Sequence, residues 1–111
     1  MFTEIKSFDE FKELKKNEEA LLGYFSTDAC NVCKVLKPKV AELVQKKFPR
    51  IKLAYIKSDK YPEVAGQHQV FVAPTIIIFF DGREYLRRSR NIGIDEIQHE
   101  IYRPYSMMFS D

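Results

Sequence analysis

The chain has 111 residues, 45% hydrophobic and 31% charged, a balance that excludes both a disordered polypeptide and a membrane protein and suits one domain with its own core. Its 18 basic and 16 acidic residues are interspersed and leave a net charge of +2, too weak a field to recruit nucleic acid by charge alone. The opening MFTEIKSFDEFKELKK lacks a basic segment followed by an apolar run, and no apolar stretch approaches the ~20 residues of a bilayer span. No secretory leader is therefore expected. With only two cysteines, a reducing cytoplasmic setting is the expectation.

In chain order, a brief strand is expected at Phe2–Ile5. Ser7 then caps a short helix ending near Asn17, with Glu10 three residues on completing a capping box. ALLGYFST is an apolar run too short for a stable helix, and reads as a strand buried on both faces. Val32, Leu36, Val40 and Leu43 or Val44 recur at helical spacing and predict a long amphipathic helix reaching Phe48. Pro38 within it has no amide for the Lys34 carbonyl, which predicts a kink one turn past Cys33. IKLAYIK is the next strand, and Asp59 and Pro62 introduce a helix ending near Gly66.

TIIIFF is the strongest strand signal. Asp81-Gly82 predicts a tight hairpin that returns REYLRRS as an antiparallel edge strand. A last helix from Ile94, with Ile94, Ile97 and Ile101 on one face, is expected to stop before Pro104. The order is β α β α β α β β α. Residues 1–111 form one domain, with 104–111 as a carboxy-terminal appendage. Phe25, Phe79 and Phe80 are assigned to the core, and His68 and His99 to solvated positions. The RRSR run at Arg87–Arg90 reads as a charged edge that blocks sheet-to-sheet pairing.

The chemistry lies in CNVCKVLKP. A strand, CxxC and a helix start place Cys30 at the strand end and Cys33 in the first helical turn. The helix amino terminus favours an anion there, drawing the Cys30 thiol below the ~8.5 of a free cysteine. Cys30 is then the exposed, reactive sulfur and Cys33 the resolving one. Two other readings stand beside this. The pair could be small apolar residues lining a core, or half of a zinc site; zinc would have to draw on His68 and His99, whose spacing fits no finger or ribbon.

CNVCKVLKP resembles the active-site pattern of the thioredoxin family, and VAPTIIIFFDG is similar to the family segment in which a cis-proline precedes a central strand and hairpin. The resemblance covers Phe2 to Arg103. It implies an α/β thioredoxin-like fold, with a central mixed sheet of four or five strands flanked by about four helices. It also implies a protein disulfide oxidoreductase with Cys30 as nucleophile, Cys33 as resolving cysteine, Pro74 as cis-proline and the Ala73 backbone pairing with substrate. No bound cofactor is implied; electrons would come from an NADPH-dependent thioredoxin reductase, substrates would be disulfide-containing proteins, and the chain would act as a monomer. The apolarity of TIIIFF independently favours a cis bond at Pro74 over a trans-proline opening an edge strand.

Several positions depart from the family pattern. Ala29 replaces a tryptophan, and Asn31 and Val32 between the cysteines bring no charge, which favours a reducing or weakly poised pair. Tyr24 aligns with a buried carboxylate and Tyr55 with its lysine partner, and a phenol cannot act as the base a carboxylate could. Arg90 falls near a groove glycine, and Asp28 is expected to raise the thiol pKa rather than supply a base. With these supports missing, two readings stay open beside the enzyme: a binding or adaptor protein that keeps the groove without efficient turnover, and a thiol redox sensor.

Overall fold

A computed structural model describes residues 1–110. Five strands, β1 (Phe2–Glu4), β2 (Ala20–Ser26), β3 (Lys52–Lys57), β4 (Thr75–Phe80) and β5 (Arg83–Ser89), form one sheet in the order β1-β3-β2-β4-β5. The helices are α1 (Phe8–Asn17), α2 (Asn31–Lys47), α3 (Pro62–Gln67) and α4 (Ile94–Phe109). β1, β3 and β2 run parallel, while β4 is antiparallel to β2 and β5 to β4. This is the expected mixed sheet in the expected element order.

β2 sits at the centre, and every one of its seven residues is buried. Alternation sends Ala20, Leu22 and Tyr24 into the layer shared with α2 and α4. Leu21 and Phe25 enter the layer shared with α1 and α3. Gly23 lies beneath α1, where an added Cβ would stand 3.2 Å from the Phe11 ring and 3.3 Å from Phe25. Its missing side chain is what lets Phe11 lie on the sheet. Asp81 and Gly82 both have positive φ, 54° and 78°, the conformation a two-residue hairpin of the right twist needs.

Four expectations need correction. Ser7 Oγ does accept from the Glu10 amide at 3.0 Å, but the Glu10 carboxylate accepts from Lys6 N rather than from Ser7. The buried face of α2 is Cys33, Leu36, Val40, Leu43 and Val44; Val32 is 61% exposed, because with Cys30 at the cap the inward position of the first turn is 33.

α4 does not stop at Pro104 but continues to Phe109. Tyr105 stacks on Phe48 with centroids 5.0 Å apart and accepts a 3.0 Å hydrogen bond from Arg50 N, while Arg50 lies over Phe109 at 4.6 Å. Contacts of about 0.5–1.5 kcal/mol each together reach the ~3 kcal/mol that an internal proline costs a helix. Residues 104–109 are thus the end of α4, held to Phe48 and Arg50 through Tyr105 and Phe109, rather than an appendage; Asp111 of that segment lies outside the described residues.

His68, finally, is buried rather than solvated. Its Nδ1 is 2.8 Å from the Val64 carbonyl and its Nε2 is 3.0 Å from Lys15 Nζ. A carbonyl only accepts and an ammonium only donates, so the proton sits on Nδ1 and Nε2 accepts from Lys15. The rings of Phe8, Phe11, Phe25 and Phe79 surround it. His99, by contrast, is exposed as expected.

Candidate active site

β2 ends at Ser26, and the chain turns through Thr27–Ala29 with Cys30 N donating to Thr27 O at 3.2 Å. Cys30 is the cap of α2, with extended backbone (φ −86°, ψ 99°), and its sulfur accepts from Cys33 N at 3.1 Å. No acidic residue occupies the first turn of α2, so nothing there offsets the positive end of the helix dipole at the Cys30 sulfur. Cys30 and Cys33 form a disulfide, with Cα atoms 5.3 Å apart.

The two sulfurs differ in access. Cys30 is partly exposed, whereas Cys33 is 1% exposed and belongs to the core. The readings of two unrelated core thiols and of half a zinc site give way to this bonded pair. Among the described residues no group of three or more His, Cys, Asp or Glu is arranged to hold a metal.

Behind the pair lies Tyr24, fully buried, whose hydroxyl donates to the Cys33 carbonyl at 2.7 Å. Burial, with Tyr55 beside it, pushes the phenol far above its ordinary value near 10. Tyr24 is therefore a fixed donor and no base. Tyr55 packs on Tyr24 at 6.0 Å between centroids, and Lys37 Nζ sits 3.7 Å over the Tyr55 ring. Aromatic rings and one capping cation thus occupy the two positions at which the sequence departs from the family's carboxylate and lysine.

Facing Cys30 is the Ala73-Pro74 peptide, which is cis. The turn is held by Thr75 Oγ1, which donates to the Val72 carbonyl at 2.8 Å and lies 2.9 Å from Ser89 Oγ. Arg90 N donates to the Pro74 carbonyl at 2.9 Å. A shallow cleft brings the elements together, lined by Thr27, Ala29, Cys30, Asn31, Val32, Ala73, Pro74, Arg90 and Asn91. Of the four residues singled out in the sequence, the fold gathers Cys30, Ala73 and Pro74 on one cleft, with Cys33 buried behind it. Arg90 sits in left-handed backbone at φ 66°, the conformation expected of a glycine position.

The hydroxyl couple of Thr75 and Ser89 and the Tyr24 bond to Cys33 escaped sequence reasoning, for neither has a spacing signature. Asp28, exposed, donates its amide to Asp59 and is not among the cleft-lining residues.

Comparison with known proteins agrees with this geometry. The thioredoxin family model matches residues 2–102. The thioredoxin-like protein YdfQ of Bacillus subtilis is 36% identical over 84 residues, 76% of this chain and 74% of its own length. The thioredoxin of the same organism is 30% identical over 78 residues, covering 70% of this chain and 75% of that protein. Oxidised mitochondrial thioredoxin 3 of Saccharomyces cerevisiae superposes with a TM-score of 0.74 at 25% identity, over 78% of this chain and 81% of that one. A partly exposed cysteine paired with a buried one at a helix start, the family model that spans residues 2–102 and these relatives lead to one conclusion: the chain belongs to the thioredoxin family and is a thiol-disulfide oxidoreductase.

Proposed function

We propose that the protein reduces disulfides in other proteins, with Cys30 as the attacking and Cys33 as the resolving thiol, and with Ala73 and Pro74 as the backbone against which the substrate lies. The observation that carries this reading is the difference in access: Cys30 caps α2 at the cleft, while Cys33 is 1% exposed behind it. The Cys30 thiolate attacks one substrate sulfur, breaking the substrate S–S bond, forming a mixed disulfide and releasing one substrate thiol. The Cys33 thiolate then attacks the Cys30 sulfur, closing the Cys30–Cys33 disulfide and releasing the second thiol. Two electrons pass from the enzyme dithiol to the substrate.

The dithiol carries the chemistry without a bound cofactor. An NADPH-dependent thioredoxin reductase is the proposed electron source, and a cytoplasmic monomer the proposed form. The test is insulin reduction driven by dithiothreitol beside a Cys30→Ala control. Equal rates for the two proteins would remove the reductase reading in favour of an adaptor. A Cys33→Ser variant is expected to accumulate a mixed disulfide at Cys30, identified by mass spectrometry and released by reductant.

A further inference from the structure

Three arginines crowd the end of β5, and the fold commits two of them. Arg87 donates to both carboxylate oxygens of Glu84 and to the carbonyls of His68 and Gln69. Arg88 donates to Glu96 and Glu100 on α4 and to the Arg87 carbonyl. Arg90 is exposed, makes no side-chain hydrogen bond or ion pair among the described residues, and lines the cleft beside Cys30.

Its position is fixed by the fold. The last registered pair of the β4–β5 hairpin is Thr75 with Ser89, and the Arg90 amide bonds the Pro74 carbonyl. The chain holds this residue at φ 66°, where a β-carbon is disfavoured. A long cation is thus carried at the rim of the reacting sulfur in backbone that favours glycine.

Charge on the cleft lining is sparse, with exposed Asp28 two residues before Cys30 and exposed Lys34 one residue past Cys33 both off it. Arg90 is the one formally charged side chain on the Cys30 cleft. An adjoining depression shares Thr27 and Ala73 with it, is bordered by the 82% exposed Phe71, and has Asp59 as its one charged residue. A segment laid across Thr27 and Ala73 meets a cation on the cysteine side and an anion on the other.

We propose that Arg90 is a specificity-determining residue, selecting disulfides flanked on one side by an acidic residue. This rests on the reductase reading above and names the substrate class for it. The guanidinium pairs with a carboxylate as the segment docks, before the Cys30 thiolate attacks. Asp59 repels acid on the opposite flank, so the preference has a direction.

The test uses peptides that each contain one disulfide, with Glu, Gln or Lys placed in turn just before or just after the attacked cysteine. On one of the two flanks kcat/KM is expected to favour Glu over Lys by about tenfold at low ionic strength, narrowing to about two- to threefold in 0.5 M salt. The ratio is read within each protein, so a general loss of rate or stability cancels. Arg90→Lys is expected to keep the preference, Arg90→Gly and Arg90→Gln to bring it within about twofold, and Arg90→Glu to invert it. A wild-type ratio below twofold on both flanks, or a preference that survives Arg90→Gly, overturns the proposal. If the wild type reduces the Gln peptides no faster than Cys30→Ala, the reductase reading fails and the proposal falls with it; reduction without charge preference removes Arg90 alone.

Discussion

The Tyr24 hydroxyl donates to the Cys33 carbonyl at 2.7 Å from a fully buried position, tying the centre of the sheet to the first turn of the active-site helix. Burial keeps the phenol protonated far beyond neutral pH, so in the mechanism proposed above removal of the Cys33 proton is expected to fall to water or to Cys30. Tyr24→Asp, set against Tyr24→Asn to cancel the cavity it leaves, is expected to raise insulin reduction by roughly an order of magnitude by restoring a base. Equal rates for the two variants would show that proton removal is not limiting. Tyr24→Phe is expected to lower stability by about 1 kcal/mol, read as a Tm shift of about 4 °C.

His68 gives the fold a pH dependence with a definite sign. Burial pushes its imidazole below the ordinary value near 6.5; the Val64 carbonyl opposes the shift, Lys15 and Arg87 add to it, and Glu84 opposes it. With the folded value below the unfolded one, the unfolded chain takes up this proton first as pH falls. The contribution is present above about pH 6.5 and is lost as pH drops from there through the folded-state value. Between pH 7.5 and pH 5 the wild-type Tm is expected to fall more steeply than that of His68→Gln. Parallel curves would mean that the imidazole does not couple to folding.

Tyr105 carries the extension of α4 past its proline. Tyr105→Ala removes the Phe48 contact and the bond to Arg50 N and is expected to cost about 2 kcal/mol in urea unfolding. A loss under 0.5 kcal/mol would show that the last turn is not coupled to the core.

Gly23→Ala tests the fit of α1 on the sheet. Its methyl group would stand 3.2 Å from the Phe11 ring, so a loss of about 1–3 kcal/mol is expected. Pairing it with Phe11→Leu is expected to recover part of that loss; additive losses would place the strain elsewhere.

The readable part of this protein was whatever local chemistry dictates. The apolar runs of β2 and β4, the Asp81-Gly82 turn and the Ser7 cap each announce themselves within a few residues, and the cysteine corner and Pro74 came with them. What escaped was set by tertiary partners. Pro104 is a helix breaker by itself, and only the Phe48 and Arg50 contacts of Tyr105 and Phe109 carry α4 onward. His68 resembles a loop residue until α1 brings Lys15 to its ring. Val32 fits the helical spacing of Leu36 and Val40 as well as Cys33 does, and it is the cap at Cys30 that turns the 33, 36, 40, 43 and 44 face to the core.

The hairpin that carries Pro74 and Arg90 at one end carries Asp81 and Gly82 at the other, six residues of β4 away, or about 20 Å. An irregularity in register between Ile78 and Phe79 separates the two ends. The tip therefore offers a place to attach a fluorophore or an affinity handle for trapping partners, since a graft there leaves the cysteine end of the molecule free to engage them.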